Sequence, residues 1–322
     1  MATAVICEFN PFHNGHKYLL ESAKNVLKEP VIAIMSGSFT QRGEVAVCDK
    51  FVRAKSALEN GADLVLELPV VFSLSGAEGF AKAGVAIASA FECTNHLAFG
   101  SESGDCKLLK KSANAVCDER VQALVRDGMK NGGYYPRELE NAVKTVFGDE
   151  ISSVLCEPNN ILGVEYIKAL NGTGVEPFSV ARTGVAHDSR IAGEGFASAS
   201  HIREMLRNGE NAKKYAPYVP DEITFSENLD RPLLYRLRTM TREEISKLPD
   251  VGEGLENRIA DAAMQCSTSA EIADFVKTKR YTHARIRRIL ACALLGIEKA
   301  HTQIPIEYVR AVSYTHLRAH ET

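Results

Sequence analysis

Histidines 13 and 16, in the stretch "EFNPFHNGHKYLL", are the first residues whose types and spacing could do chemistry. Three readings compete for them. A phosphate grip needs a helix start, where unpaired backbone N–H groups and partial positive charge favour an anion. Two residues three apart at such a start lie on roughly the same side, so their ring N–H groups could hold growing charge on a pentacoordinate phosphorus. Gly15 would let a phosphate come close to the backbone. A metal pair needs a third and fourth ligand at related spacing, and no cysteine or histidine pair supplies them. Two loop histidines bonding locally are the plain alternative. Position after a strand, together with Gly15, favours the phosphate grip.

The elements that must position this pair follow from hydrophobic pattern. Ala4–Cys7, Val31–Met35, Asp63–Leu68 and His96–Phe99 are short apolar runs that suit buried strands. Between them lie helical patterns: Tyr18, Leu19, Ala23, Val26 and Leu27 on one side of a helix, then Lys50–Asn60 stopped by Gly61, then Ala77–Ala90. This alternation predicts an α/β fold with a doubly wound parallel sheet. Such sheets bind ligands at the carboxyl ends of their strands, at a switch point. The loops Asn10–His16, Ser36–Arg42 and Gly100–Ser103 should therefore converge.

From about residue 225 the pattern turns helical with no clear strand, as in "VGEGLENRIADAAM" and "ARIRRILACALLGI". Lys277, Lys279, Arg280, Arg285, Arg287 and Arg288 fall in a run without an acid, interleaved with Tyr281 and His283. Such a patch suits RNA phosphates, with a solvated helix face as the alternative. Across "QRGEVAVCDKFVRA", Arg42, Asp49, Lys50 and Arg53 gather charge beside Gly43, as in a solvated loop or a lid that shields a site from water.

Composition narrows the classes. The 322 residues are 45% apolar and 25% charged with net charge −3, so an average nucleic-acid binder, and DNA as a partner, are not expected. Eight cysteines without a C-x-x-C pair argue against a zinc knuckle or disulfide scaffold. No basic region precedes an apolar segment at the N-terminus and no apolar run nears about 18 residues, so a cytoplasmic protein without a membrane partner is expected. No Gly-Lys dipeptide occurs, which excludes a P-loop.

"NPFHNGHKYLL" resembles the H-x-G-H signature of the nucleotidyltransferase superfamily. Taken with "MSGSFTQRGEVAVCDKFVRAKSALENGADLVLELP", "AFGSES", "EPNNILGVEYIKAL" and "ASASHIRE", in order to about residue 300, the chain resembles the bacterial tRNA(Met) cytidine acetate ligase family. The resemblance implies ATP-dependent activation of acetate as acetyl-adenylate and acetylation of N4 of the wobble cytidine of elongator tRNA(Met). It implies a nucleotidyltransferase-like catalytic domain over 1–225 and a smaller helical, tRNA-binding domain over 226–310. It also implies a nucleotide site built from Ile6, Cys7, Glu8, Phe9, Asn10, Pro11, Phe12, His13, Asn14, Gly15, His16, Lys17, Tyr18 and Leu19. Gly100, Asn159 or Asn160 (with Asn160 preferred) and Arg182 would complete it, His13 and His16 being catalytic. In "SASHIRE", Ser200 would cap a helix and Arg203 would reach the β- and γ-phosphates. ATP chemistry makes Mg²⁺ the default counter-ion, held by no protein metal site. Residues 311–322, "VSYTHLRAHET" at their core, depart from the family and resemble adapter read-through, so a truncated RNA-binding part is expected. A nucleotidyltransferase acting on a phosphorylated small molecule is the alternative enzyme, and a non-catalytic RNA-binding scaffold the third class.

Overall fold

The computed structural model describes residues 1–182, 195–220, 222–252, 254–278 and 281–314. A six-stranded sheet has the order β5-β4-β1-β2-β3-β6. Its strands are β1 (Ala2–Cys7), β2 (Val31–Ser36), β3 (Leu64–Leu68), β4 (Thr94–Ser101), β5 (Glu176–Ala181) and β6 (Arg310–Tyr314). All pairings are parallel except β3 with β6. Winding proceeds outward from β1 in both directions, through β2 to β3 and through β4 to β5, so the expected doubly wound sheet forms with its switch point between β1 and β4.

The alternation along each strand explains two covering layers. Ala4 and Ile6 of β1, with Ile34 and Leu66, share one apolar cluster with the helices α4 (Ala77–Ala90), α5 (Cys106–Cys117) and α9 (Pro158–Leu170). Val5, Cys7, Ala33 and Val65 face the other way, against α1 (Asn14–Leu27) and α2 (Lys50–Glu59). Strands covered on both faces need continuous apolar runs, which is why four of them are readable from composition alone. A short α3 (Val70–Ser73) follows β3. The crossover from β4 to β5 is longer than the others and also carries α6 (Glu119–Lys130), α7 (Tyr135–Phe147) and α8 (Asp149–Ser153).

After β5, α10 (Ala199–Arg207) leads to a helical unit of α11 (Asp230–Thr239), α12 (Arg242–Ser246), α13 (Leu255–Gln265), α14 (Ser269–Val276) and α15 (His283–Leu295). It has its own core, in which Leu237, Ile259, Ile272 and Ile286 are fully buried. The expectation of no strand in this part is corrected by β6. It adds antiparallel to the edge of β3, with Leu66 opposite Ala311, and so places residues 311–314 of the expected tail in the sheet. An open edge offers unpaired backbone groups that almost any extended segment can meet, so side-chain pattern gives little warning of such a strand. Residues 315–322 of that tail lie outside the described residues. Among the described residues no helix is long and apolar enough to cross a membrane.

Candidate active site

The turn after β1 is held by its own histidines. His13 is the N-cap of α1 in extended backbone, and its Nδ1 accepts the Gly15 N–H at 3.0 Å. His16 answers one turn on: its Nδ1 accepts the His13 N–H at 3.3 Å. With both Nδ1 atoms used as acceptors, each ring carries its proton on Nε2. The rings stack 3.7 Å apart, inclined by 25°. Phe9 and Phe12 brace them, with centroids 4.9 and 5.8 Å from His16. Gly15 has a reason beyond backbone approach, since a Cβ there would lie 2.9 Å from Cε1 of His13. Burial, then the neighbouring His13 and Arg182, hold the His16 imidazolium well below its ordinary range, so His16 is a neutral donor near pH 7.

These rings border a cavity of about 290 Å³ at the switch point. Ile6, Phe80, Phe99, Leu162 and Tyr166 make an apolar part of its wall. Arg42, Arg182 and Arg203 bring positive charge, and Glu8 and Glu44 negative charge. Arg182 follows β5 directly and donates its backbone N–H to Ser101 O at 3.0 Å. Burial lowers its pKa, opposed by Glu102, without taking an arginine near neutrality. Arg203 on α10 donates to Asn10 O at 2.9 Å and to Ser200 Oγ at 3.2 Å. Burial raises the Glu8 carboxyl, opposed by the Gln41 N–H at 2.5 Å and by Arg203 and Arg42.

Residues 1–319 match a family model described as HIGH Nucleotidyl Transferase. A tRNA(Met) cytidine acetate ligase of Thermoanaerobacter sp. (strain X514) is 39% identical over 315 residues, covering 92% of this chain and 78% of that protein. The chain belongs to the tRNA(Met) cytidine acetate ligase family. A second ligase of that name, from Clostridium tetani, is 35% identical over 342 residues, covering 97% of this chain and 84% of that one. The crystal structure of apo Thermotoga maritima TmcAL (form I) superposes with TM-score 0.90 at 32% identity, over 98% of this chain and 81% of that one. The same protein bound with alpha-thio ATP (form II) superposes with TM-score 0.84 at 33% identity, over 94% and 77%.

Within this family member, the residues singled out by sequence divide by position. Ile6, Cys7, Glu8, Phe9, Asn10, His13, Gly15, His16, Tyr18, Leu19, Gly100, Asn159, Arg182, Ser200 and Arg203 line the cavity. Phe12 is buried behind the rings, and Asn14 donates to Gly195 O at 2.7 Å and Lys214 O at 3.0 Å. Pro11 and Lys17 also stand outside the lining. Of the two asparagines, Asn159 faces the cavity, whereas the preferred Asn160 is buried and accepts the Ser103 N–H at 3.1 Å. Ser200 does not cap α10. Ser198 does, accepting the His201 N–H at 3.1 Å, because the helix starts at Ala199, ahead of the start at His201 that a cap at Ser200 requires.

The lid reading of the charged loop is replaced by a strap. Lys50 pairs with Glu67 at 2.8 Å and Asp49 caps α2. Arg53 is fully buried and donates to Glu8 O at 2.6 Å, Ser36 O at 3.0 Å, Cys48 O at 3.1 Å and Gly37 O. Of the four charged residues, Arg42 alone borders the cavity. Part of the basic run is also bonded within the protein. Arg285 donates to Asp250 O, Arg287 to Glu44 at 2.7 Å, and Arg288 to Asp250 at 3.2 Å. Lys277 is exposed, and Lys279 and Arg280 lie outside the described residues.

Sequence reasoning missed Glu102, which accepts from Asn159 Nδ2 at 2.5 Å and Asn160 N–H at 2.8 Å. It occupies the N-terminus of α9 with a carboxylate, so that helix end is no anion site. The residue lies inside the quoted "AFGSES", and an acid just after a strand-end glycine was the available signal. The apolar wall of Phe80, Leu162 and Tyr166 comes from helix faces, where nothing in sequence separates core from cavity.

Proposed function

We propose that the chain activates acetate with ATP as acetyl-adenylate, releasing pyrophosphate, and transfers the acetyl group to N4 of the wobble cytidine of elongator tRNA(Met). The observation that carries this reading is the stacked histidine pair, each ring held by a backbone N–H on its Nδ1, in the wall of a switch-point cavity shared with Arg182 and Arg203. Neutral imidazoles and arginines are suited to hold the oxygens of an α-phosphate as an acetate oxygen attacks phosphorus and pyrophosphate leaves. Among the described residues a Cβ at position 100 would meet only Arg182 Cγ at 3.6 Å, an ordinary contact. That leaves the space in front of Gly100 for a ribose or adenine, with Asn159 beside it. In the second step the cytidine N4 lone pair attacks the acetyl carbon, AMP departs with the shared oxygen, and the N4 proton leaves to base or water.

We assign residues 1–225 to the adenylation site and 226–310 to tRNA binding, the latter supported by its separate core and exposed Lys277. Among the described residues no group of three or more His, Cys, Asp or Glu side chains is gathered that could hold Mg²⁺. Glu8 accepts from Gln41 and Glu44 from Arg287, so triphosphate oxygens and water are its fitting ligands, and no step is routed through it. The test is incubation with labelled acetate, ATP and unmodified elongator tRNA(Met). Label retained in RNA, mapping to N4 of the wobble cytidine and dependent on ATP, is expected. ATP turnover indifferent to acetate, with transfer of AMP to a phosphorylated small molecule, would select the alternative enzyme.

A further inference from the structure

Glu44 stands where the cavity meets the helical unit, and no catalytic step uses it. Its Oε1 accepts from Arg287 Nη1 of α15 at 2.7 Å, and its Oε2 lies 3.6 Å from Nη2 of Arg203. The second separation is too long for a hydrogen bond and acts through charge. Both partners of the looser contact are three-quarters buried or more, where such attraction is less screened than at the surface. The strap around Glu44 touches both sides. Gly43, at φ +77, lies so close to α15 that an added Cβ would collide with the backbone of Arg287 and Arg288. Val45 N–H donates to Ser226 Oγ at 3.2 Å, and Thr224 N–H to Val47 O at 3.0 Å. On the cavity side, Gln41 N–H binds Glu8 and Val47 N–H binds Asn10 Oδ1 at 2.8 Å, while Asn10 O receives Arg203.

We propose that Glu44 is a positioning residue: anchored by Arg287 of the helical unit, it holds the Arg203 guanidinium at the phosphate-binding part of the cavity, so that seating of the helical unit sets affinity for a nucleoside triphosphate. The proposal rests on the nucleotide reading of the cavity. A long arginine loses considerable rotamer freedom when fixed. A carboxylate already held on one oxygen presents the other at fixed place, which lowers the entropy still to be lost when phosphate arrives. The helical unit is then part of the adenylation site, beyond any contact it makes with RNA.

The experiment is equilibrium ATP binding to the full chain, without acetate or RNA, for wild type, Glu44→Gln, Arg203→Ala and the double variant. Glutamine keeps the shape of Glu44 and can accept from Arg287, so docking persists and the thermal transition should move little. Glu44→Gln should weaken ATP about five- to tenfold in wild type and less than about twofold on the Arg203→Ala background, the pattern of two residues acting as one unit. Arg287→Ala, which frees the anchor, should weaken ATP about two- to fivefold. Equal losses from Glu44→Gln in both backgrounds, or none in wild type, would overturn the proposal. An Arg287→Ala protein with unaltered affinity would overturn the role of the helical unit. Wild type without ATP binding would remove the nucleotide reading itself, a result distinct from an additive cycle.

Discussion

The histidine turn and the strap over residues 38–53 border the same cavity and use polar side chains in opposite ways. In the turn, two rings at the cavity wall are oriented by backbone N–H groups on their Nδ1 atoms. In the strap, Lys50 and Arg53 are consumed inside the protein, by Glu67 and by four carbonyl oxygens. Short rings leave a backbone turn in one direction. Long cationic side chains can travel past the loop that bears them, so charge density in a sequence locates an interface without saying which side it serves.

Arg53→Met should break the comparison most heavily. It leaves buried carbonyls unpaired and should cost about 3–5 kcal/mol of stability, read as a lower denaturant midpoint. A lid residue would instead change ATP affinity with the midpoint intact. Gly43→Ala should cost about 1–3 kcal/mol, since it combines a left-handed backbone with a backbone collision against α15. Thermal unfolding should show it, and an unchanged transition would mean that the strap yields freely.

The turn has its own signature in pH. The unfolded His16 binds a proton near its ordinary value of about 6.5, whereas the folded one resists it to well below. Between those values the unfolded chain holds more protons, so stability should fall as pH drops below about 6.5. His16→Ala should flatten that slope, and an identical slope in the variant would locate the titration elsewhere. The smallest expected contrast is in thiol reactivity. Burial pushes Cys7, in the cavity wall, well above its usual range and Cys48, in the strap, up to about 11. Alkylation at pH 8 should mark the exposed Cys93 and Cys117 first, with Cys7 and Cys48 both slow until unfolding.

Much of this fold was legible because parallel strands covered on both faces must be apolar throughout: Val31–Ser36 is buried at every position. The edge strand β6 was not, because it rests on backbone pairing to β3. His13 and His16 were legible from their place after β1, and Arg203 from resemblance. Asn159 and Asn160 were not separable, because both precede the same helix and only the angle of α9 decides which one meets the cavity. The bonds of Arg287 and Arg288 to Glu44 and Asp250 were not legible, because those acceptors lie far away in sequence.

The most direct measurement of the nucleotide grip is acetate-dependent exchange of labelled pyrophosphate into ATP by wild type and His16→Ala, with folding of both checked by thermal unfolding. Exchange that requires acetate and falls by about 10²–10³ in the variant is the result expected of a ring donor aimed at transition-state charge. Equal exchange by a folded His16→Ala protein would contradict it, and would return the histidine pair to the role of a helix cap.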